Sequence, residues 1–216
     1  MIKIQPKPIE EITDIAGSYK KILIVGCGGC ASVCLGGGQP EVDKLTEILN
    51  LNFEEKNAPN RAKGCTIERQ CNKAFIEELE NKVPEYDCVF SMACGAGAQY
   101  IAEVFPGTPV FPAVNTVSIG IDREIGVYEE RCRACGECVL SYTGGICPVT
   151  RCAKGLFNGP CGGTNRDECE IGRGIPCAWL AIYNRLKEQN RLDDIHKLRA
   201  PMEWQNQTLR TLVQEF

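Results

Sequence analysis

Residues 20–34 read KKILIVGCGGCASVC, and the fold turns on this stretch. Ile22 to Val25 is an unbroken apolar run closed by glycine, the pattern of a buried strand that ends in a loop. The glycines that follow place Cys27, Cys30 and Cys34 directly after that strand. Downstream, Pro40 opens a helix with Val42, Leu45, Ile48 and Leu49 on one face. Cys71 to Val83 reads as a further helix, with Phe75, Ile76, Leu79 and Val83 at helical spacing. Residues 87–93 (DCVFSMA) form a second buried run, 96–105 a helix, and 108–114 (TPVFPAV) a strand with proline near each end. This alternation predicts a parallel α/β layer up to about residue 120. The fold class expected is α/β, with a Rossmann-like parallel sheet as an N-terminal domain over residues 1–125.

From Arg131 to Cys177 the periodicity disappears, and Cys, Gly and Pro dominate. The expectation for residues 126–216 is a cysteine-rich domain organised by metal, closed by an amphipathic helix with Trp179, Ile182, Tyr183 and Leu186. The tail from Arg199 to Phe216 offers Trp204 and Phe216 as aromatic anchors for a partner.

Fifteen cysteines in 216 residues, an odd number, do not suit a disulfide framework in a chain this long. A net charge of −4 without any Lys/Arg-rich run argues against nucleic acid as a partner. The first residues lack the basic and apolar regions of a signal peptide, and no apolar stretch is long enough for a bilayer. These features are read as those of a cytoplasmic chain in which the thiols bind metal. His196 is the single histidine and lies away from the cysteines, so ligand sets must be four-thiolate, as in iron–sulfur clusters or zinc sites built from cysteine alone.

In a parallel sheet the loops after the strands share the carboxyl edge, where ligands bind. Cys27, Cys30 and Cys34 reach that edge, as does Cys94 after the second buried run, and Cys71 is a fifth candidate. Three thiolates from a glycine-rich turn with one from a neighbouring loop would enclose a cubane. Gly26-x-Gly28-x-x-Ala31 also matches a dinucleotide fingerprint in form, but cysteines fill its variable positions and Gly36 to Gly38 delay the helix. Cys88 and Cys65 are read as packing residues. Further on, Cys132-x2-Cys135-x2-Cys138-x8-Cys147-Pro148 approaches the bacterial ferredoxin run, with a longer third gap. Cys152, Cys161, Cys169 and Cys177 follow, so the eight thiols suffice for two clusters or for one cluster and one zinc. Their partition is left open by the spacing. Glu68, Glu129 and Glu137 are read as solvated or supporting residues.

The segments VGCGGCASVC, ERQC ending at Cys71, SMACGAG, ERCRACGECVLSYTGGICPVTRCAKGLFNGPCGG and PCAW resemble the MetV-type small subunit of bacterial methylenetetrahydrofolate reductase. The last two also resemble the cysteine-rich domain fused to other reductases of that family. The resemblance implies an iron–sulfur subunit, read here as carrying two [4Fe–4S] clusters, one at the sheet edge and one in the cysteine-rich domain, with room for a zinc as well. Its metal ligands would be Cys27, Cys30, Cys34, Cys71, Cys94, Cys132, Cys135, Cys138, Cys147, Cys152, Cys161, Cys169 and Cys177. It further implies a partner subunit that carries FMN and reduces 5,10-methylenetetrahydrofolate to 5-methyltetrahydrofolate, fed by an electron-donor protein, in the one-carbon (Wood–Ljungdahl) metabolism of anaerobes such as acetogens. Between Leu51 and Cys65 this chain departs from the family's pattern, with a short NFEEKNAPNRAKG where a longer helix and strand are usual. No catalytic base or nucleophile is evident, which places the folate chemistry on the partner. Two rival functions are a structural metal scaffold and a free-standing cluster enzyme.

Overall fold

The computed structural model describes residues 1–204 and 211–214. Contacts divide the chain into two units, Met1–Glu129 and Glu130–Phe216. Together the elements are mixed α/β.

The first unit is built on the stretch quoted above. Strand β2 (Lys21–Cys27) is the centre of a four-stranded sheet of order β3-β2-β4-β5, with β3 at Arg61–Ile67, β4 at Cys88–Ser91 and β5 at Val110–Pro112. All three pairings are parallel, and Val25 is in register with Cys65 on one side and Ser91 on the other. Alternation along β2 explains its all-apolar sequence. Ile22 and Ile24 face a core that includes Val42, Leu49 and Phe53 of helix α3 (Gln39–Glu55) and Ile12 of helix α1 (Ile9–Ala16). Leu23 and Val25 face a second core with Ile76, Leu79, Val83 and Ile101, the last from helix α5 (Gly95–Val104). A strand covered on both faces has no polar side to show. At the start of α3, Gly38 N–H donates to the Glu41 carboxylate at 2.9 Å, and Pro40 occupies the first turn, where its missing N–H costs nothing.

Three expectations are corrected. The predicted helix over 71–83 is broken: Asn72 caps a single turn, α4 (Lys73–Ile76), followed by 3-10 turns at Glu77–Leu79 and Val83–Glu85, the second containing Pro84. Its apolar spacing still marks the buried side, since Ile76, Leu79 and Val83 are buried. The parallel layer also stops at Pro112, not near residue 120. Strand β6 (Val114–Glu124) belongs to a separate three-stranded sheet, β1-β6-β7, in which β1 (Ile2–Pro6) runs antiparallel to β6 and β7 is Val127–Cys132. Lastly, the short stretch after Leu51 supports both of its elements. Helix α3 runs on to Glu55, Asn57 turns the chain at φ +51°, and the Asn50 amide brackets Ala62 by bonding its N–H and C=O, which seats β3.

The second unit has little regular structure. Its elements are one-turn α6 (Pro148–Arg151), a ribbon of two-residue strands β8 (Thr164–Asn165) and β9 (Glu168–Cys169), helix α7 (Ala178–Glu188), and 3-10 turns at Leu140–Tyr142 and Leu192–His196. Helix α7 buries Trp179, Ile182 and Leu186 against Ile146, and the Trp179 indole donates to the Leu156 carbonyl at 2.9 Å. Trp204 stacks edge-on with Phe157 at 6.2 Å, so this anchor residue packs within its own unit. Phe216 lies outside the described residues.

Candidate metal centres

At the first unit's carboxyl edge, Cys27 is the last residue of β2. Its N–H donates to Gly37 O at 2.8 Å, and its thiol donates weakly to Glu68 O at 3.9 Å. Cys30 begins a one-turn helix, α2 (Cys30–Val33), and is exposed; Cys34 ends it, buried, with its thiol turned to Ala31 O at 3.5 Å. Cys71 is exposed in the loop after β3, and half-buried Cys94 is the N-cap residue of α5. The five thiols therefore share one edge of the sheet, but they do not converge on a point. The glycines between them are consumed by packing: a Cβ on Gly26 would lie 2.4 Å from Thr66 Oγ1, and one on Gly37 1.8 Å from Met92 O. With only one helical turn after the loop, the dinucleotide alternative has no helix of useful length behind it.

Cys65 and Cys88 sit elsewhere. Cys65 lies within β3 against the second core, where burial pushes its thiol up. Cys88 opens β4 at the amino end, fully buried, and burial with the Asp87 charge pushes its thiol up to about 12. Both are packing residues.

In the second unit four of the eight cysteines lie around one cavity. Cys152, Cys161, Cys169 and Cys177 line one cavity of about 160 Å³, an apolar cleft that Trp179 also walls. Cys152 and Cys177 flank α6 and α7 as C-cap and N-cap, Cys169 lies in β9, and Cys161 occupies the loop between α6 and β8. The Gly163 N–H donates to Cys161 Sγ at 3.4 Å and Lys154 Nζ lies 3.5 Å from it; these two, the backbone bond first, draw the thiol below its ordinary value. Lys154 is itself held by Glu170. None of Cys132, Cys135, Cys138 and Cys147 lines this cavity. Cys135 and Cys147 pack together on Val139, Val149 and Met202, and the Thr150 hydroxyl lies 3.4 Å from both Arg131 O and Cys147 O, tying the strand before Cys132 to the Cys147 turn. Ala134 and Gly136 take left-handed φ of +50° and +91°, which curls the Cys132–Cys138 turn. In that turn the Ala134 N–H donates to Cys132 Sγ at 3.3 Å.

Among the described residues, no three His, Cys, Asp or Glu side chains form a group able to hold a metal ion. The donor chemistry nonetheless fits a thiolate-bound group in kind. Around the Cys152–Cys177 cavity the donors are sulfur, the walls are apolar, and the space exceeds the roughly 10–15 Å³ that one water requires.

Residues 111–205 match the family model described as methylene-tetrahydrofolate reductase C terminal. No curated protein and no solved structure matches the chain. The match to the reductase C-terminal family starts in β5 and takes in all eight cysteines from Cys132 to Cys177. Its bounds leave out residues 1–110, and with them the cysteines at the sheet edge. Over those residues the chain is similar to that reductase C-terminal family. Among the described residues no helix is long and apolar enough to cross a membrane.

Two residues were missed at the sequence level. Gln70 and Ser91 form a fully buried polar pair at the sheet edge. Their signal was present in the sequence, as a lone hydroxyl inside DCVFSMA and a glutamine immediately before Cys71.

Proposed function

We propose that the chain is the iron–sulfur electron-transfer subunit of a methylenetetrahydrofolate reductase complex, of the MetV type. The observation that carries this reading is the reductase-family match over the segment that holds eight cysteines, four of which line one cavity. Cys132, Cys135, Cys138 and Cys147, with ferredoxin-like spacing, hold a [4Fe–4S] cluster; Cys152, Cys161, Cys169 and Cys177 hold a second thiolate-bound metal; and Cys27, Cys30, Cys34, Cys71 and Cys94 supply the ligands of a cluster at the sheet edge. When bound, such clusters accept and pass single electrons. The chain's own part is to supply thiolates, exclude water with apolar walls such as Trp179, and donate N–H groups to sulfur, as Gly163 does to Cys161 and Ala134 to Cys132. A flavin-bearing partner then carries out the reduction of methylenetetrahydrofolate, and an electron-donor protein feeds this subunit.

Anaerobic reconstitution with the flavoprotein tests the reading. The expected result is a stable complex in which flavin reduction by the physiological donor requires this chain. Full-rate reduction by the flavoprotein alone would favour the scaffold instead, and turnover by this chain alone would make it a free-standing enzyme.

A further inference from the structure

Gln70 has no exposed surface, and a buried amide is costly unless its donors and acceptor are satisfied. Here both kinds of group are used. Its Nε2 donates to Val25 O at 2.8 Å and to Gly26 O at 3.0 Å, while its Oε1 accepts from the Ser91 hydroxyl at 2.6 Å. Ser91 Oγ in turn accepts from the Ala93 N–H at 3.3 Å. The partners follow a pattern: Gly26 immediately precedes Cys27, Gln70 precedes Cys71, and Ala93 precedes Cys94. Helix α5, capped by Cys94, also rests on the same side chain, since a Cβ on Gly97 would lie 2.8 Å from Gln70 Cβ. Packing alone would be served by an apolar residue of similar volume. The amide instead joins its own segment directly to β2 beside Cys27 and, through the Ser91 hydroxyl, to Ala93 beside Cys94, three segments remote in sequence that each lead into a cysteine.

We propose that Gln70 and Ser91 are positioning residues that hold the Cys27, Cys71 and Cys94 loops in fixed relation at the carboxyl edge. This inference rests on the reading of that edge as a cluster site. Neither side chain touches the metal group; each acts through the backbone next to a ligand. Loss of the amide would let the three loops drift independently while both apolar cores of the sheet stayed in place.

The test uses the full chain, purified anaerobically. Gln70→Met keeps the side chain's length and removes its polar atoms, Ser91→Ala removes only the hydroxyl, and Val83→Ala weakens the same unit from the second buried core, whose members include none of the five edge cysteines. A Cys27→Ala/Cys94→Ala double variant, which leaves three of the five candidate thiols, marks the iron that belongs to the edge. Three quantities are read: iron per chain, the rate of iron release to a chelator, and the electron paramagnetic resonance signal of the reduced protein. Gln70→Met should accelerate release of edge iron roughly 10- to 100-fold, as loss of a residue that orients a ligand does, and alter the edge signal. Ser91→Ala should do the same to a smaller degree, and the C-terminal iron should not respond. Val83→Ala should lower the melting temperature and leave the edge signal unchanged. If Gln70→Met and Ser91→Ala release iron no faster than Val83→Ala at matched loss of stability, the positioning role is overturned and the cluster reading stands. If wild type and the Cys27→Ala/Cys94→Ala double variant contain the same iron and give the same spectrum, the edge holds no cluster and both readings fall.

Discussion

The two units reach their folds by different means. In the first, a central strand is sandwiched between two apolar cores, and residues such as Ile22, Ile24, Leu49, Phe90, Leu79 and Ile101 have no exposed surface. In the second, the buried apolar residues gather around α7 and in a small cluster at Val139, Val149 and Met202. Much of the rest is loop with glycines at positive φ, including Gly144, Gly155, Gly159, Gly162 and Gly174. The first is a fold that carries cysteines, whereas the second is a set of cysteine-bearing loops that needs something to close it. Burial of apolar surface suffices for one; under the proposed function, thiolate–metal bonds supply the remaining order of the other.

That contrast is broken most directly by removing metal. A structural metal contributes on the order of 10 kcal/mol to the fold that binds it. Chelation should therefore make the segment 131–177 sensitive to limited proteolysis while residues 1–129 stay resistant. Equal resistance with and without metal, mapped by mass spectrometry of the fragments, would show that the α7 core alone holds the second unit. Core truncation sharpens the same point. Phe90→Ala should cost about 3–5 kcal/mol in denaturant unfolding of the first unit whether or not metal is bound. Leu186→Ala should instead weaken the second unit mainly in the metal-free chain.

A smaller effect is expected at the glycine turn. Gly37→Ala would drive a Cβ into the Met92 carbonyl at 1.8 Å, and the forced backbone shift should cost about 1–3 kcal/mol, read as a lower melting temperature of the first unit. The smallest effect concerns Cys88. Its thiol, raised from 9.0 to about 12 in the fold, keeps its proton in the native state where the unfolded chain has lost it. The native state binds more protons in that window, so stability is complete below pH 9 and declines as pH rises from 9 toward 12, by about 1 kcal/mol at pH 10. Cys88→Ala should flatten that part of the curve for the first unit.

How much of this was legible in the sequence depended on the range of the interactions. Strand β2, helix α5 and the Cys132–Cys147 run could be read because their signals are local: an apolar run closed by glycine, helical spacing, and short Cys gaps. The three-stranded sheet was invisible because β1 is five residues long and finds its partner more than a hundred positions away, with Ile2 opposite Ile119. The 71–83 segment showed a helical period that recorded which side is buried, while Pro84 and the turns around it broke the backbone into pieces. At the candidate site, the cysteines could be picked out and their grouping around a cavity could not. Which four of eight thiols share a cavity depends on how α6, β9 and α7 fold back, and no spacing rule contains that. Gln70 escaped notice for the same reason, since its meaning lies in bonds to Val25, Gly26 and Ser91.

Iron, zinc and acid-labile sulfide measured on the anaerobically purified full chain test the central claim most directly. The account predicts at least about eight iron atoms with matching sulfide, as two cubanes at four irons each require, and a brown protein that bleaches in oxygen. Zinc alone, without iron or sulfide, would contradict it and leave the cysteines a purely structural role.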